Sequence, residues 1–181
     1  MSLVQAILYG TLEDVRAEVS AGANIHELDE FGYPPLAEAA IVQKNDIAEY
    51  LIGQGVEVDK PDLTGRTPLN WAVENNNIPL SRLLLSHHAN PNSFTVGCQP
   101  LLVNPMLRNQ TDLKKLLLDR GADIDFARDY INTKVLSHLF MLQGVIDIYT
   151  PENTFIELAL EGFILEFTLS AIHNSLLRFL N

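Results

Sequence analysis

The chain carries one cysteine, Cys98, among its 181 residues. A single thiol excludes an intramolecular disulfide framework and fits a reducing compartment. Cationic side chains are scarce: 12 Lys and Arg stand against 23 Asp and Glu, a formal net charge of −11. Contact with nucleic-acid phosphate needs a cationic face, so this balance argues against DNA or RNA as a direct partner, and against an anionic membrane surface. The N-terminus, from Met1 to Gln5, has neither a basic stretch nor a long apolar run, so no signal peptide is expected there. Also missing are a Gly-rich phosphate loop, a zinc-ligand spacing and a calcium loop, so neither a cofactor nor a metal is expected. What the chain does have is apolar residues, 47% of the total, enough for a sizeable core. Its length suits one domain with an appendage.

The apolar residues are organised by a repeat. Asp29 and Asp62, Gly32 and Gly65, Pro35 and Pro68, Leu36 and Leu69, Ala39 and Ala72 are each 33 residues apart. A fixed period of this length means stacked supersecondary units rather than one closed core. Gly22, Gly55 and Gly121 stay in phase with it. Gly97, Pro100 and Leu101 open a further unit, one residue out of phase with Gly65, Pro68 and Leu69.

The residue types fit helical repeats. Gly32 and Gly65 supply a positive φ for a tight turn. Pro35 and Pro68 stand where a helix begins, and Thr67 can cap one through its hydroxyl. Leu69, Ala72 and Val73 fall on one helix face; Leu80, Leu83 and Leu84 fall on one face of the next. Small Ala39, Ala40 and Ala72 let paired helices approach closely. Gly22, Gly55 and Gly121 end second helices, and His88 takes that place at more strain. Pro105 falls inside the first helix of the last unit, where a helix interior loses about 3 kcal/mol, so that helix is expected to be short, kinked or displaced. Residues 90–100 are expected to form an atypical loop.

After residue 125 the period breaks. Residues 133–142 read as a helix with Val135, Leu136, Leu139 and Phe140 inward. Residues 145–149 and 154–158 read as a hairpin around Pro151 and Asn153. Residues 162–181 read as a long apolar helix, which Glu166, His173, Asn174 and Arg178 interrupt, so no membrane span is expected. The expected division is 1–125 and 126–181, the second part capping the stack or continuing into a larger assembly.

The pattern Asp62, Gly65, Thr67, Pro68, Leu69 and Ala72, best between Asp62 and Asn92, resembles the ankyrin repeat. The resemblance implies a mainly α ankyrin-repeat solenoid of about four repeats, the first and fourth degenerate. The first unit, Leu3 to His26, resembles an N-terminal capping half-repeat. Departures are present: the family's Thr is Pro34 or Gln99, and its His is Ala37, Asn70 or Leu102, so its Thr–His hydrogen bond is expected to be absent. Ankyrin stacks bind partners through projecting turns and first helices. By position this implies Phe31, Tyr33, Glu38, Ile41 and Val42, then Leu63, Thr64, Arg66, Trp71, Glu74 and Asn75, then Phe94, Val96 and Cys98. Trp71 is equally suited to packing on a neighbouring helix.

Degenerate repeats followed by a different segment also resemble the ankyrin effectors of intracellular bacterial pathogens, which act on host proteins. The functional expectation is a protein-interaction module with a protein partner, possessing no catalytic group and located in the cytoplasm or, as an effector, inside a host cell. Two alternatives differ in class. Cys98 with His138 or His173 and an Asp would make the triad of a cysteine-protease-like enzyme, although no local signature surrounds Cys98. Otherwise the chain is the N-terminal part of a larger effector whose activity lies in the C-terminal region. His87 and His88 read as a solvated pair near a helix end, and Glu57, Asp59 and Asp62 as a solvated acidic edge.

Overall fold

The structure is a computed structural model that describes residues 1–95 and 99–134. The fold belongs to the first of two units into which the chain divides, Met1–Tyr130 and Ile131–Asn181. Of the second unit residues 131–134 are described, and they are helical. The hairpin and long apolar helix expected after residue 134, and most of the helix expected over 133–142, lie outside the described residues.

Four helix pairs follow one another: α1 (Leu3–Tyr9) with α2 (Leu12–Ser20), α3 (Pro35–Ile41) with α4 (Asn45–Gly53), α5 (Pro68–Glu74) with α6 (Ile78–Ser86), and α7 (Val103–Leu107) with α8 (Thr111–Leu118). First helices pack in one row, α1 to α3 to α5 to α7, and second helices in another, α2 to α4 to α6 to α8. The 33-residue period is therefore a spatial repeat. Leu36 and Leu69 are fully buried between rows, as are Ala6, Ala39 and Ala72, and Leu51, Leu84 and Leu117. The alanines lie on first helices that pack against one another and against their paired second helices, and small buried side chains suit such close packing.

Local chemistry sets the helix starts. Pro35 and Pro68 occupy the first turn, where the missing N–H would have no helical partner. Thr67 Oγ1 accepts from Asn70 N, and Asn70 Oδ1 accepts from Thr67 N at 2.8 Å and Thr67 Oγ1 at 2.7 Å. The expected loss of the Thr–His bond is thus made good by Asn70, which closes a capping box. Turns between helices of a pair use a left-handed residue at Gln43, Asn76 and Asn109, again 33 apart, with φ of 58°, 53° and 54°. Gly22, Gly55 and Gly121 follow second helices with positive φ, and His88 does the same at 66°, the strained position expected of it.

Several expectations need correction. The first unit is a full helix pair rather than a half-repeat: Ser2 with Gln5 and Thr11 with Asp14 form capping boxes for α1 and α2. Leu85, at 5% exposure, joins Leu80 and Leu84 in the core, while Leu83 is half-buried, because the buried face of α6 runs through Leu80, Ser81, Leu84 and Leu85. The loop over 90–100 contains a pair of two-residue strands, β1 (Phe94–Thr95) and β2 (Gln99–Pro100), antiparallel with Phe94 opposite Pro100. Helix α7 is five residues long, as Pro105 suggested. Pro105 occupies its third position, where backbone N–H groups lack helical partners anyway, so the proline is accommodated.

Candidate partner-binding surface

Two turns project from the stack, and an aspartate organises each. Asp29 Oδ1 accepts from Phe31 N at 2.9 Å and Tyr33 N at 2.7 Å. Asp62 Oδ1 accepts from Thr64 N at 2.8 Å, Thr64 Oγ1 at 2.6 Å and Arg66 N at 3.1 Å. Gly32 and Gly65 complete these turns at φ of 85° and 84°, a region costly for residues with a Cβ. Leu63 N donates to Gly32 O at 3.2 Å, which links one turn to the next.

Asp62 is not the solvated edge residue expected of it. It is 5% exposed, and its Oδ2 accepts from Trp71 Nε1 at 3.0 Å. Burial pushes its carboxyl up, but the hydrogen bonds from Thr64, Arg66 and Trp71 outweigh that and hold the group below its ordinary value. Trp71 is thereby anchored as well as packed. Its ring meets Tyr33 edge-on, with centroids 6.1 Å apart and planes at 69°. The Arg66 guanidinium sits 4.4 Å from the Trp71 ring centre, and its Nη1 pairs with Glu74 Oε2 at 2.9 Å. Tyr33, Arg66, Trp71 and Glu74, picked from sequence, therefore form one half-buried ladder across two repeats. Edge-to-face and cation–π contacts of this kind each contribute about 0.5–1.5 kcal/mol.

Apolar tips lie on these turns. Phe31 is 68% and Leu63 77% exposed. Phe94 is exposed too, and its ring meets Phe126 edge-on with centroids 6.0 Å apart. Ile41 is half-buried at the end of α3. Asn75 is occupied structurally, donating from Nδ2 to Ala40 O at 3.3 Å and Ile41 O at 3.4 Å.

Glu38 corrects its expected place on the binding face: it is buried, 5% exposed, with its carboxyl in hydrogen-bonding reach of Asp29. Desolvation first, then the Asp29 hydrogen bond and charge, push Glu38 up to about 7. Sequence reasoning missed this pair, the hub role of Asp62, and Asn70, which also donates from Nδ2 to Phe94 O at 3.1 Å. The three-residue spacing of Thr67 and Asn70 was the available signal for the last.

Val96 and Cys98 lie outside the described residues, as do His138 and His173, so the thiol–histidine alternative has no geometry to weigh. His87 and His88 are exposed. Among the described residues no group of three His, Cys, Asp or Glu side chains could hold a metal, and no helix is long and apolar enough to cross a membrane.

Known proteins share this architecture. The family described as ankyrin repeats (3 copies) matches residues 3–95, just over half of the chain. The chain is similar to human palmitoyltransferase ZDHHC13, 35% identical over 91 residues, which cover 49% of this chain and 14% of that protein. It is similar to human protein phosphatase 1 regulatory subunit 27, 42% identical over 67 residues, covering 37% of this chain and 44% of that one. Among solved structures it is similar to a Legionella effector, AnkH, with a TM-score of 0.71 and 43% identity, covering 78% of this chain and 31% of that one. The chain thus spans less than half the length of each of these relatives.

Proposed function

The chain belongs to the ankyrin-repeat family, and on that premise we propose that it is a protein-binding module gripping a partner protein along the edge of Phe31, Tyr33, Leu63, Arg66 and Trp71. One observation carries the reading: exposed Phe31 and Leu63 stand beside an ordered Tyr33–Trp71–Arg66 ladder on adjacent repeats. Trp, Tyr and Arg are enriched among residues that dominate binding energy, and pre-ordered side chains lose little entropy when a partner arrives. We include Phe94, exposed one repeat on, in the proposed surface.

The setting we assign is that of a bacterial effector acting on a host protein. Likeness to the Legionella effector over most of this chain supports it. Affinity capture from eukaryotic lysate, followed by mass spectrometry, tests both parts, with the Phe31→Ala, Leu63→Ala double variant alongside. The proposal expects host proteins that the wild-type chain enriches and the folded variant does not. Equal capture by both chains would move the site off these turns, and no enriched host protein would remove the effector setting.

A further inference from the structure

The second and third repeats complete the same turn differently. Asp29 and Asp62 stand 33 residues apart, and each spends Oδ1 on turn N–H groups. Asp62 Oδ2 then receives the Trp71 Nε1–H. The residue 33 before Trp71 is Glu38, another carboxyl, buried in reach of Asp29. Among the described residues Asp29 Oδ2 is buried and meets no donor. Two ionised carboxyls there would leave like charges buried against each other. A proton on Glu38 removes the conflict, because its O–H can donate to Asp29 Oδ2 as the indole N–H does to Asp62.

We propose that Glu38 keeps a proton that it donates to the buried Asp29 Oδ2, and that loss of this proton loosens the turn at residues 29–33 and so the presentation of Phe31 and Tyr33. Among the described residues no cation is among the groups that act on the Glu38 carboxyl. Helix α3 packs against α1, α4 and α5. Helix α1 carries no charged residue, and its one titratable group, Tyr9, is 83% exposed. On α4 the carboxyls of Asp46 and Glu49 are exposed, and Tyr50 lies beneath the Arg16 guanidinium. On α5 Glu74 is paired with Arg66, which also covers Trp71. Lys44, just before α4, spends its ammonium on the carbonyls of Leu8 and Gly10.

The direction of the pH effect follows. Glu38 is raised from 4.5 to about 7 in the folded protein, so the fold holds the proton over a range where the unfolded chain has released it. Stability from this pair is full below 4.5 and is lost as pH rises towards and through 7.

The consequence for a partner rests on the binding reading above; the proton on Glu38 does not. Trp71 is the sole tryptophan, with Tyr33 at its edge, so its fluorescence reports on the turn in the free full-length chain. The wild type should show a fluorescence transition centred near 7. Between pH 5 and 7 its folding constant should fall by up to about tenfold per pH unit. Glu38→Gln, whose amide donates to Asp29 at every pH, should abolish both trends. Asp29→Asn, which removes the like charge, should move the transition to lower pH. A transition that persists unmoved in both variants, or none in the wild type, would overturn the proposal. Intact titrations combined with no partner at any pH would instead count against the binding reading alone.

Discussion

Gly32 and Gly65 share a turn position and a positive φ, yet their surroundings differ. A Cβ on Gly65 would enter open space, whereas one on Gly32 would come 2.2 Å from Leu63 Cγ. Gly65→Ala should therefore lose about 1 kcal/mol to backbone strain alone. Gly32→Ala should lose more, and Leu63→Ala should recover part of the excess. Chemical denaturation of the two single variants and the double variant measures this coupling; additive losses would mean that Leu63 does not cover Gly32. Trp71→Phe keeps an aromatic ring, though a smaller one, but strands Asp62 Oδ2, a loss on the order of 1–3 kcal/mol by the same measurement. Because Asp62 is held below its ordinary value, its contribution is present above about 4 and fades as pH falls further. The Trp71→Phe penalty should accordingly shrink in acid; a penalty constant down to pH 2 would assign it to packing.

At the scale of elements, the sequence was readable wherever backbone geometry demands a residue type. Glycine at positive φ and proline at a helix start are such demands, and Gly32, Gly65, Pro35 and Pro68 stand where expected. The left-handed positions at Gln43, Asn76 and Asn109 escaped notice because no glycine marks them. Glu38 escaped because a carboxyl on a first helix suggests solvent, and only the fold shows it turned towards Asp29. Asp62 read as an edge charge because turn hydrogen bonds depend on geometry rather than composition. The strand pair after Asn92 was hidden by short length, two residues a side. Pro105 gives an element-scale prediction. Since it removes no helical hydrogen bond, Pro105→Ala should not stabilise the protein by the roughly 3 kcal/mol that a proline in a helix interior forfeits. A gain of that size in thermal denaturation would show that α7 is under strain from it.

For the whole molecule, the repeat rows make stability a sum of neighbouring contacts, while binding draws on side chains from two repeats at once. The Tyr33–Trp71 contact joins the second and third repeats, and Phe31 and Leu63 crown their turns. The sharpest measurement is titration calorimetry of a captured partner against the wild type and the Phe31→Ala, Leu63→Ala variant, with circular dichroism to establish that both are folded. Both side chains are exposed, so their truncation should leave the fold intact. Binding through this edge predicts a loss of tenfold or more, about 1.4 kcal/mol. Unchanged affinity in a folded double variant would contradict it.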